Sequence, residues 1–295
     1  MSPPVALLRT LRPQQWIKNL FVAVPLVFAR HLEDPAYVLR TALAVLAFCA
    51  LSGAVYAFND VRDVEGDRAH PKKKFRPIAA GALSERDALI AAGVLAALAL
   101  GGCLVLSWKL AAFAAAYLAQ NVAYSVRLKQ VAFLDVGLIA TGFILRVLAG
   151  AAAIDVPASG WLLACTALLA LFLGLGKRAH ELAWAERTGG ETTATRAALA
   201  GYRLPVVRVA MFVIGAATCA GYIAYTLDPR TIAVFGTDRL VWSAPFVALG
   251  IVRFFGLALW WPRDDSPTEA MLKDPWFLLD LAAAGAVIVY VIYAR

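Results

Sequence analysis

The chain has 295 residues, 61% of them hydrophobic and only 16% charged, with a mean hydropathy of +0.71. Soluble domains are about 45–50% apolar and about 25% charged, so a water-soluble core is excluded and several membrane spans are expected. The net charge of +8 would suggest nucleic acid for a soluble protein, but here the cations cluster in a few loops between apolar runs; that pattern points to membrane topology, anionic lipid and phosphate-bearing substrates, with no nucleic acid.

At the N-terminus, Pro3, Pro4, Arg9, Arg12 and Pro13 precede the first apolar run. No small-residue cleavage site follows a short apolar core, so an integral, unprocessed protein is expected. A span needs about 20 apolar residues. Runs near 17–30, 37–58, 88–106, 110–126, 131–153, 158–176, 205–227, 241–260 and 277–294 predict an all-α bundle of about nine transmembrane helices. The first is short and interrupted by Pro25, and the third and fourth are separated only by Ser107, Trp108 and Lys109. No low-complexity linker divides the chain, so residues 1–295 are expected to form one domain.

With the N-terminus inside, twenty Lys and Arg fall in inner segments and five in outer ones, while Arg40, Arg146 and Arg253 lie within apolar runs. This bias predicts a cytoplasmic N-terminus and an external C-terminus in a bacterial-type inner (plasma) membrane. Cys49, Cys103, Cys165 and Cys219 each sit inside an apolar stretch without metal-ligand spacing, as small core residues do.

The second run ends in Asn59-Asp60-Val61-Arg62-Asp63-Val64-Glu65-Gly66-Asp67. Asn59, Asp63 and Asp67 share one face of a continuing helix. Crowded carboxylates repel unless a cation lies between them. Hard oxygen ligands of this kind suit Mg²⁺, which binds a few carboxylates together with phosphate oxygens and water. The bland reading is an acidic helix end meeting the cytosol, with Arg62 and Arg68 as partners. Next comes His70-Pro71-Lys72-Lys73-Lys74-Phe75-Arg76-Pro77-Ile78. It anchors topology, but a stiffened Arg76-Pro77 beside the acids also offers a planar fork for phosphate.

An NDxxDxxxD motif after the second span, followed by a basic "RPI" segment, resembles the UbiA-type intramembrane prenyltransferase superfamily over essentially the whole chain. That resemblance implies a helical bundle that holds a diphosphate through Mg²⁺, with a cavity open to the membrane. Its prenyl-transferring members carry a second DxxxD motif in the loop after the sixth span. Here that position reads Gly176-Lys177-Arg178-Ala179-His180-Glu181-Leu182, followed by Glu186-Arg187-Thr188-Gly189. One carboxylate and two cations, Lys177, Arg178 and Glu181, make a poorer metal site and a better anion site.

Three further segments agree with one branch. These are Arg12-Pro13-Gln14-Gln15-Trp16-Ile17-Lys18-Asn19, a YxxxxK spacing from Tyr124 to Lys129, and Arg146 inside the fifth run. An arginine at that depth normally faces a polar cavity or an anion. The combination resembles the polyprenyl-phosphate phosphoribosyltransferases of cell-wall (arabinan) precursor synthesis. By that resemblance the donor is phosphoribosyl pyrophosphate and the acceptor a polyprenyl phosphate. Mg²⁺ on Asn59, Asp63 and Asp67 would hold the pyrophosphate, with Asp60 as a ligand or supporting group. Lys73, Lys74 and Arg76 would neutralise the leaving phosphates. Lys18, Lys129, Arg146 and Tyr124 would serve the lipid phosphate or the sugar 5-phosphate.

His31, His70 and His180 are expected to be ordinary solvated residues. Asp135 is either a cavity residue or a structural partner for a nearby cation. Three alternatives stay open: a prenyl transfer from an isoprenyl diphosphate to an aromatic or quinone-precursor acceptor, a related enzyme using another activated sugar, and a membrane transporter. A homo-oligomer stays open as well.

Overall fold

The computed structural model describes residues 2–187, 199, 201–260 and 267–294. Thr188, Gly189, Arg196, Arg263 and Arg295, which entered the loop motif or the charge bias, lie outside the described residues. Thirteen α-helices are present among the described residues: α1 (Pro3–Leu11), α2 (Val24–Phe28), α3 (Pro35–Arg62), α4 (Val64–Ala69), α5 (Glu85–Leu106), α6 (Trp108–Val126), α7 (Leu134–Ala153), α8 (Gly160–Arg187), α9 (Leu204–Leu227), α10 (Pro229–Phe235), α11 (Ala244–Leu259), α12 (Pro267–Leu272) and α13 (Pro275–Tyr293). Short 3₁₀ segments join several of them, the longest being Pro13–Val22.

The long helices begin where the sequence supplies caps. Asp34 accepts a bond from the Ala36 amide with Pro35 as first helical residue, Ser84 accepts from Asp87, and Asp274 accepts from Phe277. Each cap satisfies an amide that the helix start would otherwise leave open. Seven helices among the described residues are long and apolar enough to cross a membrane: α3, α5, α7, α8, α9, α13 and the continuous Arg239–Leu259 segment that contains α11. Of the nine expected spans, these seven meet that measure of length and composition among the described residues. The run at 110–126 does form α6, but Lys109, Gln120 and Asn121 lower its apolarity. The run at 17–30 is not an α-helical span; Pro13 and Pro25 divide it into the 3₁₀ segment and the five-residue α2. Proline lacks the N–H that a continuous helix needs.

The chain divides into two compact units, residues 1–129 with 142–158, and residues 130–141 with 159–295. In the first, α3 packs on α5, α6, α1 and the 3₁₀ segment. Val22, Phe48, Leu51, Leu110, Tyr117 and Ala149 build its core. The N-terminal segment runs antiparallel to α3: Arg12 meets Asp60, Asn19 meets Ser52, and His31 stacks on Tyr37 at 4.1 Å. Gly150 permits the closest approach, since a Cβ there would fall 1.9 Å from the Val22 carbonyl oxygen.

In the second unit, α8 packs on α9 and α11, and α11 on α13. Phe172, Leu175, Val207, Met211 and Phe254 form the core. Gly176 is required here, because a Cβ would fall 2.3 Å from the Phe254 ring. Large apolar side chains such as Leu46, Leu98, Val105, Phe212 and Leu279 remain exposed on the long helices, as lipid-facing residues do.

Candidate active site

The acidic motif sits where α3 gives way to α4. Asp63 terminates α3, yet the amides of Asp63 and Asp67 still bond the carbonyls of Asn59 and Asp63 at 3.0 and 2.8 Å. The i, i+4, i+8 main-chain register therefore passes through the break. Asn59 Nδ2 donates to Asp63 Oδ2 at 3.1 Å. Lys129 Nζ lies 2.5 Å from Asp63 Oδ1 and donates to Asn59 Oδ1 at 3.4 Å.

Asp60 and Asp67 are held differently. The Arg76 guanidinium reaches both, 3.2 Å to Asp60 Oδ1 and 2.6 Å to Asp67 Oδ2. Arg12 adds a second contact to Asp60 Oδ1 at 2.5 Å, and its guanidinium lies 5.0 Å from the centre of the Tyr56 ring. Asp60 is only 2% exposed. A carboxylate this buried is tolerated because two guanidinium groups neutralise it. Arg12 itself has left-handed backbone torsions, φ 53° and ψ 64°, between α1 and the 3₁₀ segment. Such torsions are unfavourable for any residue with a Cβ and persist where surrounding contacts hold them. Arg12 belongs to the N-terminal motif, and its place at the site is visible only in the fold. The local signal is the arginine-proline step that stops α1 opposite the end of α3.

The basic loop folds back on the acids through Arg76, while the half-buried Lys73 and the exposed Lys74 flank it. Lys74 Nζ lies over the Phe75 ring at 5.3 Å. His70 is not simply solvated, since its Nδ1 accepts the Lys72 and Lys73 amides at 3.2 and 3.3 Å. Burial, reinforced by the Lys73 charge, lowers the His70 pKa below its ordinary value, so the ring accepts these bonds as the neutral form. Lys18 and Tyr124 are half-buried, on the 3₁₀ segment and near the end of α6.

Arg146 is buried at the middle of the first unit. Its Nε donates to Asn19 Oδ1 at 2.9 Å, Nη1 to the Gly142 carbonyl at 3.0 Å, and Nη2 to the Tyr117 hydroxyl at 2.8 Å. Asn19 in turn donates to Ser52 Oγ at 3.1 Å. Arg146 thus ties the N-terminal segment to α3, α6 and α7 through neutral acceptors.

In the second unit, Gly176–Glu181 is not a loop. It lies inside α8, and Arg178 is 1% exposed. Arg178 Nε lies 2.9 Å from Asp135 Oδ2, and Nη1 pairs with Glu181 one turn on. The Tyr202 hydroxyl donates to Asp135 Oδ1 at 2.6 Å and accepts the Phe133 amide at 2.6 Å. Burial, followed by the bond to Asp135, pushes the Tyr202 pKa above its ordinary value, so the hydroxyl remains a donor. Asp135 is therefore the structural partner of a cation. His180 is also buried rather than solvated, and Lys177 is half-buried on the same helix.

Among the described residues, no three His, Cys, Asp or Glu side chains converge on a common metal position. Asn59 Oδ1 and Asp63 Oδ1 nevertheless already share one cation, the Lys129 ammonium. Two hard oxygens aimed at one positive charge fit Mg²⁺, which takes only one or two protein carboxylates and completes its shell with phosphate and water. A carboxamide, carboxylates, two guanidinium groups and an ammonium meet at one helix end, the kinds of group that a metal–phosphate requires.

Residues 20–281 match the UbiA prenyltransferase family, and the chain belongs to that family. It is 40% identical, over 308 aligned positions, to the decaprenyl-phosphate phosphoribosyltransferase of Mycolicibacterium smegmatis, covering 96% of this chain and 92% of that protein. The enzyme of the same name from Mycobacterium tuberculosis is 34% identical over 92% of this chain and 91% of its own length. A UbiA homolog from Archaeoglobus fulgidus, solved bound to GPP and Mg²⁺, superposes with a TM-score of 0.73 at 16% identity, covering 98% of both chains. The fold is thus the UbiA bundle, and the protein is a multi-pass membrane transferase.

Proposed function

We propose that the protein transfers 5-phosphoribose from phosphoribosyl pyrophosphate to a polyprenyl phosphate and releases pyrophosphate. The observation that carries this reading is the clustering of Arg12, Arg76 and Lys129 on the carboxylates of Asp60, Asp63 and Asp67. Both substrates bring phosphate charge, which an aromatic or quinone-precursor acceptor would not. The two mycobacterial relatives named for this activity support the choice. Residues 1–295 act as one transferase domain.

Asn59, Asp63 and Asp67 would hold Mg²⁺, which when bound neutralises the pyrophosphate of the donor. Asp60 keeps Arg12 and Arg76 in place. Arg76, with Lys73 and Lys74 beside it, stabilises the charge that develops on pyrophosphate as the C1–O bond breaks. The electron pair leaves with pyrophosphate. An oxygen of the lipid phosphate attacks C1 from the opposite face, and the anomeric centre inverts. That oxygen is already ionised, so the step needs no general base; positioning and charge stabilisation provide the catalysis. Lys129, Tyr124 and Lys18 orient the remaining phosphate of donor or acceptor. Arg146 shapes the N-terminal segment that carries Lys18.

The acid end of α3 faces the cytoplasm, where the soluble donor is found. The N-terminus lies on that side and the C-terminus on the other. A cysteine at Lys73 reacts only with reagents that reach the cytoplasm, and one at Thr237 only with external reagents. Purified protein given both substrates releases pyrophosphate with Mg²⁺ and stops in EDTA. Full turnover in EDTA would refute the metal assignment.

A further inference from the structure

The first unit holds a second polar site, at the opposite end of α3 from the acid cluster. A cleft of about 490 Å³ lies between the start of α3, the α5–α6 junction and the turn after α7. Its size falls within the range of small-ligand sites, about 300–1,000 Å³. The helical rise from Arg40 to Asp60 is about 30 Å, which matches the hydrocarbon thickness of a bilayer at about 30 Å. The cleft and the acid cluster therefore lie at opposite membrane interfaces.

The groups in the cleft suit a phosphate. Arg40 Nε donates to the Ala153 carbonyl at 2.7 Å and Nη2 to the Leu106 carbonyl at 3.0 Å, at the ends of α7 and α5. Those helix ends carry partial negative charge and fix the guanidinium in place. Among the described residues no carboxylate lies within ion-pair distance of Arg40, and its remaining N–H donors are not used by the two carbonyls. Lys109 pairs with Asp155 at 2.9 Å, but these side chains are 51% and 78% exposed. Such a pair is weak and yields to a better anion. Ser107 precedes α6 without capping it through its side chain, so the first amides of that helix open beside Lys109. Trp108 is 70% exposed and sits where tryptophan marks the boundary between lipid and water. Leu106 and Ile154 add an apolar wall below these polar groups.

We propose that this cleft binds the phosphodiester head group of a membrane phospholipid. The phosphate would meet Arg40, Lys109 and the start of α6, and the glycerol and first acyl carbons would lie along Leu106, Ile154 and Trp108. Arg40 alone could be explained as a cap on two helix ends. That explanation does not account for the start of α6 gathered beside an exposed indole, and it predicts no lipid selectivity.

The test uses the full chain in detergent and native mass spectrometry. Dioleoylphosphatidylglycerol is compared with phosphate-free dioleoylglycerol, for wild type, Lys109→Gln and Trp108→Ala. Both variants change exposed side chains outside the catalytic cluster, so folding is preserved; Arg40 is left intact because of its capping role. The wild type should retain phosphatidylglycerol over dioleoylglycerol. Lys109→Gln should weaken that binding at least about 10-fold, the worth of one charge-assisted hydrogen bond. Displacement of the lipid by inorganic phosphate supports a phosphate pocket. Equal retention of the two lipids overturns the proposal, as does unchanged phosphatidylglycerol binding in both variants. Inorganic phosphate binding through Lys109 with no preference between the lipids also overturns it, because the source of the phosphate is then not lipid.

Discussion

Lys129 Nζ and Asp63 Oδ1 are 2.5 Å apart, and the same ammonium reaches Asn59 Oδ1 at 3.4 Å. One lysine thus occupies two oxygens that would otherwise be available to hold a divalent ion. Replacing it should separate two effects. Lys129→Gln removes a competing positive charge, so Mn²⁺ alone should bind more tightly, measured by electron paramagnetic resonance of the free ion. The same variant removes a phosphate partner, so catalytic efficiency should fall about 10- to 150-fold, the equivalent of about 1.5–3 kcal/mol for a hydrogen bond to a charged group. Weaker Mn²⁺ binding in Lys129→Gln would show that the lysine does not compete for those oxygens.

Asp60 and Asp63 are adjacent members of one motif with different partners. Asp60 is enclosed by Arg12 and Arg76, whereas Asp63 faces Lys129 and Asn59. Asp63→Asn should therefore abolish most activity and weaken Mn²⁺ binding. Asp60→Asn should leave Mn²⁺ affinity nearly unchanged while raising the KM for the donor, because it releases the two guanidinium groups. Equal losses of metal affinity in both variants would place Asp60 among the metal ligands.

The Arg178–Asp135 pair predicts a folding defect. Breaking a buried ion pair from one side costs about 3–5 kcal/mol. Arg178→Ala should lower the yield of monodisperse protein and its unfolding temperature in detergent, and Asp135→Asn should do the same. Lys177→Ala, half-buried on the same helix, should retain its fold. A fully stable Arg178→Ala protein would instead favour a role for this arginine in contacting substrate.

The legible parts of this protein were those written in local pattern. Apolar run length marks the long helices, and the four-residue spacing of Asn59, Asp63 and Asp67 survives the helix break because the main-chain ladder continues through it. Arg76 was legible from its proximity to the acids. The partners that come from far along the chain were not. Nothing local states that Lys129 would reach Asp63, that Arg12 would close on Asp60, or that Asp135 would bury Arg178. The segment from Lys177 to Glu181 looks like a polar loop because its charges interrupt an apolar run, yet the ion pairs of Arg178 let α8 continue through it. The N-terminal run misled in the other direction. Its apolar composition fits a helix, while Pro13 and Pro25 impose the 3₁₀ and short α segments.

The direct measurement is lipid labelling in membranes containing the protein, with added polyprenyl phosphate and Mg²⁺, comparing radiolabelled phosphoribosyl pyrophosphate with radiolabelled geranyl and longer prenyl diphosphates. The cation-rich cluster at Asp60, Asp63 and Asp67 predicts that label from phosphoribosyl pyrophosphate enters the lipid fraction, and that Asp63→Asn abolishes the transfer. Label entering an aromatic acceptor from a prenyl diphosphate, with none passing from phosphoribosyl pyrophosphate to lipid, would contradict the account.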